Sequence, residues 1–223
     1  MTLRSRLFAV TYDRMMRKTE KAGLAAHRES LIGRANGDVL EIGAGTGANL
    51  QFYGPGVRTL TLTEPELPML KRLERRTAQD TPEAKVLRAP AEDLPFEDDT
   101  FDTVVSTLVF CGVDDQQRAL REARRVLRSG GTLLFFEHVR SQDPKLAHTQ
   151  DRMNWLNRFV VGCECNRPTY RSIEEAGFDF VELDHTTLPK APKFARPAIV
   201  GSATVQAGAA TTAASSLDGR ITS

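Results

Sequence analysis

Apolar and polar positions alternate along the chain in two different rhythms. Over residues 1–35, Phe8, Tyr12, Met15 and Thr19 recur at helical spacing with Arg14, Arg17 and Lys18 between them, and Leu24, Leu31 and Ile32 mark a second helix. Asn36-Gly37 ends it, because both residues tolerate the left-handed conformation that closes a helix. From Asp38 the rhythm changes. Val39-Leu40-Glu41-Ile42 reads as a strand breaking into glycines, and 57–63 as a second strand, followed by Pro65 at the first turn of a helix bearing Leu67, Leu70 and Leu73. Residues 85–88 form a short third strand and 101–108 a buried, β-branched fourth. Asp114-Asp115 open a helix with Leu120, Ala123 and Leu127 on one face; Arg124, Arg125 and Arg128 near its end suit the helix dipole, and Gly130-Gly131 stop it. A fifth strand follows at 132–139, then a helical insertion around 151–160, a helix at 170–176 stopped by Gly177, and two closing strands at 178–187 and 198–205.

Strands alternating with helices imply right-handed crossovers and a mostly parallel sheet covered on both faces, an α/β architecture. The expected organisation is an N-terminal helical lid over residues 1–36, a ligand-binding domain over 37–206, and an Ala/Thr/Ser/Gly tail over 207–223 that buries too little to fold. With 223 residues, 40% hydrophobic and 26% charged, the chain has the balance of a single globular domain rather than a disordered one. A net charge of +1 gives no reason to expect nucleic acid as a partner. The apolar run Val104 to Val113 is far too short to cross a bilayer, and no secretory signal is legible. Residues 1–18 carry five basic side chains and one acid, Asp13, so weak contact with a membrane surface is the sharper alternative to a simple lid. Cys111, Cys163 and Cys165 are odd in number and suit a reducing, cytoplasmic setting. Cys-x-Cys with four scattered histidines does not supply the ligand spacing of a structural zinc site, so no metal is expected.

The segment Glu41-Ile-Gly43-Ala44-Gly45-Thr-Gly47 carries the chemistry. Glycines after a first strand let the backbone bend sharply and approach a ligand where side chains would clash. Alone it is ambiguous, since Gly43-x-Gly45-x-x-Ala48 also satisfies the dinucleotide fingerprint, and Glu64 at the end of strand two fits the ribose of either cofactor. A short-chain dehydrogenase would resemble its family in a Tyr-x-x-x-Lys pair; here Tyr12, Tyr53 and Tyr170 are followed four residues on by Met16, Val57 and Glu174. An NAD-dependent oxidoreductase therefore stays a distant alternative.

The order of parts resembles the class I S-adenosylmethionine-dependent methyltransferases (type 11 family) from about Tyr12 to Val205. Val39-Leu-Glu-Ile-Gly-Ala-Gly-Thr-Gly47 resembles their first motif, Glu64 their second-strand acid and Ala91-Glu-Asp-Leu-Pro-Phe96 their segment after strand three. Phe101-Asp102 opens strand four, and Arg125-Val-Leu-Arg-Ser-Gly-Gly131 precedes strand five, as in that family. Within the class, Gly45-Thr-Gly-Ala-Asn49 running into Phe52-Tyr53-Gly-Pro-Gly56, Thr107-Leu-Val109 with Cys111, Glu137-His-Val139, Gly162-Cys163 and Arg196-Pro197 resemble the methyltransferase-like thiol S-methyltransferases of animals. Pro90 stands where many other relatives place an adenine-binding aspartate, a departure that this subgroup shares.

The resemblance implies a Rossmann-like class I fold with a mostly parallel seven-stranded sheet, S-adenosyl-L-methionine as cofactor and a small-molecule acceptor. It implies cofactor contacts from Glu41, Gly43, Ala44, Gly45, Gly47, Asn49, Glu64, Pro65, Ala91, Glu92, Thr107 and Leu108, with the backbone of Ala91 and the side chain of Glu92 replacing the missing aspartate at the adenine. The acceptor pocket should lie beyond the carboxyl ends of strands one, four and five. Tyr12 from the lid, Cys111, His138 at the end of strand five and Trp155 from the insertion are its candidate lining; His138 is the candidate proton acceptor and Tyr12 the candidate lid contact. A thiol or hydrogen sulfide is the expected acceptor. The alternatives are O-, N- or C-methylation of a small aromatic, quinol or lipid-like molecule, or a regulator that binds the cofactor without turnover.

Overall fold

The computed structural model describes residues 16–205. Helical backbone at residue 16 passes through a π-turn at Glu20–Leu24 into α1 (Ala25–Ile32). Gly23 breaks it with φ 135°. The elements that follow are β1 (Gly37–Ile42), β2 (Val57–Thr63), α2 (Leu67–Asp80), β3 (Lys85–Leu87), β4 (Phe101–Thr107), α3 (Gln116–Val126), β5 (Leu127–His138), α4 (Pro144–Val161), α5 (Thr169–Glu175), β6 (Phe178–Thr187) and β7 (Pro197–Val205). They form one seven-stranded sheet in the order β3-β2-β1-β4-β5-β7-β6. β1 runs parallel to β2 and β4, β2 to β3 and β4 to β5, while β7 lies antiparallel between β5 and β6. This is the mostly parallel, helix-covered sheet that the alternating pattern predicts.

Successive residues of the central strands feed opposite cores, because side chains alternate across a sheet. Leu40, Ile42, Val104, Leu133 and Phe135 pack on one face with Leu120, Ala123 and Val126 of α3. Val39, Val105, Leu134 and Phe136 pack on the other with Leu24, Leu31 and Ile32, and with Leu73 of α2. Both faces are buried, which is why these strands read as continuous apolar runs.

Three expected boundaries are corrected. Pro65 precedes α2 rather than opening it: Glu66 is the N-cap and Pro68 occupies the first turn, where a missing N–H costs no hydrogen bond. Gly130-Gly131 do not stop α3, which ends at Val126; β5 begins at Leu127 opposite Phe101 and regains register at Thr132 opposite Thr103, with the glycines in the irregularity between. The insertion helix starts well before 151, because Asp143 caps it by accepting from the Lys145 N–H at 2.9 Å and Pro144 fills its first position.

The Asp115 carboxylate accepts from the Arg118 N–H at 2.9 Å and caps α3. Asp115→Ala should destabilise the protein by about 1 kcal/mol and lower its melting temperature by about 2–4 °C in a calorimetric scan.

Candidate active site

The strand order reverses at β1, whose neighbours β2 and β4 connect in opposite directions, so a crevice opens beyond the carboxyl ends of β1 and β4. The glycine turn fills its floor. Gly43 and Gly45 both have φ 60°, in the left-handed region. A Cβ on Gly43 would lie 2.8 Å from a methyl of Val109, so that glycine lets the turn dock on the loop after β4. A Cβ on Gly45 would meet nothing within 4 Å: its bare backbone faces open space. Glu64, only 6% exposed, spans the turn and the end of β2, with Oε2 accepting from Gly45 N at 2.9 Å and Oε1 from Glu66 N at 2.9 Å. Burial pushes its carboxyl above the usual range, and the two backbone N–H groups pull it back. The carboxylate thus shapes the glycine turn as well as standing where a ribose acceptor is expected. Glu64→Gln should weaken binding of S-adenosylhomocysteine about tenfold, since an amide cannot accept both charge-assisted bonds; isothermal calorimetry reads the change.

Behind the turn lies a buried polar network that sequence reading missed in its central member. Arg28 of α1 is 4% exposed. Its Nη1 donates to Asn49 Oδ1 at 2.8 Å and Thr107 Oγ1 at 3.0 Å, and its Nε to Glu20 at 3.1 Å. Asn49 Nδ2 donates to Glu41 Oε1 at 2.8 Å and to Thr107 Oγ1 at 3.0 Å; Tyr53 donates its hydroxyl to Glu41 Oε2 at 2.7 Å. Glu41, 2% exposed, is pushed up to about 7 by burial, against the pull of Tyr53, Asn49 and Arg28. Arg28, Glu41, Gly43, Ala44, Gly45, Thr46, Ala48 and Thr107 surround a cavity of about 20 Å³, room for roughly one water molecule.

The loop after β4 is held by Glu137, which is fully buried at the end of β5. Its Oε1 accepts from Ser106 Oγ at 2.8 Å and Val109 N at 2.9 Å, and its Oε2 from Cys111 N at 3.2 Å. Leu108 between them has φ 61°, a strained value for a leucine, and its N–H donates to Phe136 O at 2.7 Å. His138 follows, 7% exposed: Nδ1 lies 3.1 Å from Cys163 Sγ and 3.5 Å from Cys111 Sγ, while the buried Nε2 has no hydrogen-bond partner.

Ala44 N donates to Thr63 O at 2.8 Å, tying the turn to β2, and Pro65 O accepts from Arg88 Nε at 3.0 Å. Ala91 is 4% exposed, whereas Glu92 Oε1 accepts from Asp114 N at 2.9 Å and Asp115 N at 3.3 Å, which gives this side chain a fixed job at the head of α3. Trp155 is 69% exposed on α4 and does not pack in the core. The inner face of α4 belongs instead to Ala147, Gln150 and Asn157. Tyr12 lies outside the described residues, as does the tail.

The methyltransferase-domain family matches residues 40–135, from β1 through most of β5. Human thiol S-methyltransferase TMT1A is 34% identical over 203 residues, 88% of this chain and 82% of its own length. Human thiol S-methyltransferase TMT1B is 35% identical over 207 residues, 88% of this chain and 84% of its own. The chain belongs to the S-adenosylmethionine-dependent methyltransferases. A crystal structure of a SAM-dependent methyltransferase from Thermotoga maritima shares the fold, with TM-score 0.67 at 24% identity over 90% of this chain and 98% of that one. The cofactor of this methyltransferase is S-adenosyl-L-methionine, and the site fits it: bare backbone at Gly45 faces open space, and Glu64 and Arg28 offer a buried acid and a buried cation on either side of the turn.

Proposed function

We propose that this methyltransferase transfers the methyl group of S-adenosylmethionine to a small-molecule thiol or hydrogen sulfide. The observation that carries the acceptor is the 34–35% identity to two thiol S-methyltransferases over 88% of the chain. When bound, the cofactor supplies a methyl carbon activated on a sulfonium. The chain's residues would hold it: Gly45 by close approach of backbone, Glu64 and the Ala91 backbone at the nucleoside, and Arg28 at the amino-acid carboxylate. Fixing that carbon against an incoming sulfur lowers the barrier chiefly through alignment. A thiol with pKa about 8.5 is a few per cent thiolate near neutrality, so little proton chemistry is asked of the protein. His138, at the end of β5 with Nδ1 3.1 Å from Cys163 Sγ and 3.5 Å from Cys111 Sγ, is the group we assign to accepting what proton the thiol still carries.

Residues 1–36 act as the lid in this reading. A cavity of about 20 Å³ is far below the roughly 300 Å³ or more of a ligand pocket, so the lid opens for the cofactor while α1 keeps Arg28 in place through Leu31 and Ile32 in the core. The π-turn at Glu20–Leu24 with Gly23 at φ 135° supplies the hinge. Among the described residues no helix is long and apolar enough to cross a membrane.

The test is a methylation assay with matched thiol, phenol and amine acceptors. The reading requires turnover on thiols well above that on their oxygen and nitrogen analogues. Activity confined to phenols, amines or carbon acceptors would overturn the thiol assignment and leave the methyltransferase class standing.

A further inference from the structure

The fold gathers three soft ligands that are far apart in sequence. Cys111 comes from the loop after β4, His138 from the end of β5 and Cys163 from the turn after α4; all three are buried, and their Sγ and imidazole nitrogen atoms lie within 4.8 Å of one another. His138 Nδ1 is 3.1 Å from Cys163 Sγ and 3.5 Å from Cys111 Sγ. A tetrahedral centre with Zn–S near 2.3 Å and Zn–N near 2.0–2.1 Å spaces its nitrogen and sulfur ligands by about 3.5 Å. One of the two edges already has that length, and the other would open by a few tenths of an ångström.

Hydrogen bonds can join these three groups only two at a time. An imidazole Nδ1 carries either one proton or one lone pair, so it makes one good hydrogen bond, yet two sulfurs crowd it. A metal ion uses all three donors at once. The supporting backbone is also fixed. Gly162, with φ 79°, ends α4 and turns Cys163 inward; Asn157 Nδ2 donates to Cys163 O at 2.7 Å; Glu164 N donates to Cys111 O at 2.7 Å; and Glu137 holds Cys111 N. Ligands held by their own supports form a prepared site rather than an accidental contact.

We infer that Cys111, His138 and Cys163 form a binding site for a thiophilic metal ion of the zinc class. Two thiolates and one imidazole select such an ion over the oxygen-seeking magnesium and calcium, and three protein ligands leave a fourth position for water or a small sulfur ligand. The ion would tie together the loop after β4, the end of β5 and the chain after α4. It does not depend on the acceptor reading: the site stands whether or not thiols are the substrates.

The experiment is zinc binding by the full chain, purified under reducing conditions and followed by equilibrium dialysis, with cobalt(II) absorption reporting thiolate ligation. The expected result is one zinc per chain and a sulfur-to-cobalt charge-transfer band. Cys111→Ser and Cys163→Ser should each weaken binding by more than the about 10- to 100-fold typical of losing an outer-shell partner. Cys165→Ser, which alters the buried cysteine outside the cluster, should leave it unchanged. Folded wild-type protein that takes up no zinc at micromolar free metal overturns the inference without recourse to any variant. Equal loss in Cys165→Ser and Cys163→Ser, with circular dichroism unchanged, overturns the assignment of ligands.

Discussion

Arg28→Met should bind S-adenosylhomocysteine at least about 100-fold more weakly than the parent, the scale expected when one member of a buried, hydrogen-bonded charge pair is truncated. Arg28 is the cation that reaches the crevice, and it gets there from α1 through bonds to Asn49 and Thr107. Methionine keeps the unbranched apolar stem and removes the guanidinium, so the substitution deletes the donors while retaining most of the stem's packing. Asn49 Oδ1, Thr107 Oγ1 and Glu20 each lose a donor at once. Arg28→Lys keeps the charge but not the planar fork, and one ammonium cannot reproduce the spread from Glu20 to Thr107; it should recover only part of the affinity. Calorimetry on protein with parental circular dichroism separates lost binding from lost folding. Unchanged affinity in Arg28→Met would remove Arg28 from the cofactor site and return it to a purely structural place in the network.

How far such a residue can be read from sequence depends on whether its signal is local. The strands were legible because Val104 and Val105, or Leu134 and Phe135, are buried on opposite faces of a covered sheet and so read as apolar runs. The glycine turn was legible because backbone approach to a ligand needs glycine at fixed offsets. Arg28 gave a weaker sign: it stands four residues after Leu24 and three and four before Leu31 and Ile32, a lone cation in the middle of an apolar helical stripe. That position alone argues for a buried partner, and Asn49 and Thr107 are those partners. Trp155 stays out of the core for a different reason. The inner face of α4 is taken by Gln150 and Asn157, which donate to the carbonyls of Val139, Cys165 and Cys163, so the tryptophan turns outward. Polar side chains serving as caps for a loop look like solvent-facing residues in a periodicity reading. The Cys111–His138–Cys163 group leaves no local sign, since only the crossing of β4, β5 and the chain after α4 brings it together.

Glu41→Gln should make the protein more stable than the parent at pH 8 by up to about 3 kcal/mol and nearly equal to it at pH 5. Burial lifts the Glu41 carboxyl from an ordinary 4.5 to about 7. The folded state therefore holds a proton that the unfolded chain has released, and between those values stability falls as pH rises: the contribution is fully present below 4.5 and lost through 7. Glutamine imitates the protonated acid, so it removes the slope rather than adding a contact. Glu64, also raised by burial, tilts the curve the same way, whereas Asp38 and Asp151, held low by Arg58 and Arg140, act only in stronger acid. Urea unfolding at pH 5 and pH 8 measures the difference. The Arg28 charge opposes the rise at Glu41, so Arg28→Met should carry the fall in stability to higher pH, and the double variant with Glu41→Gln should keep only the slope left by Glu64 and Glu137. Parallel stability curves for Glu41→Gln and its parent would mean that Glu41 stays ionised in the folded protein throughout, with Tyr53, Asn49 and Arg28 together outweighing its burial.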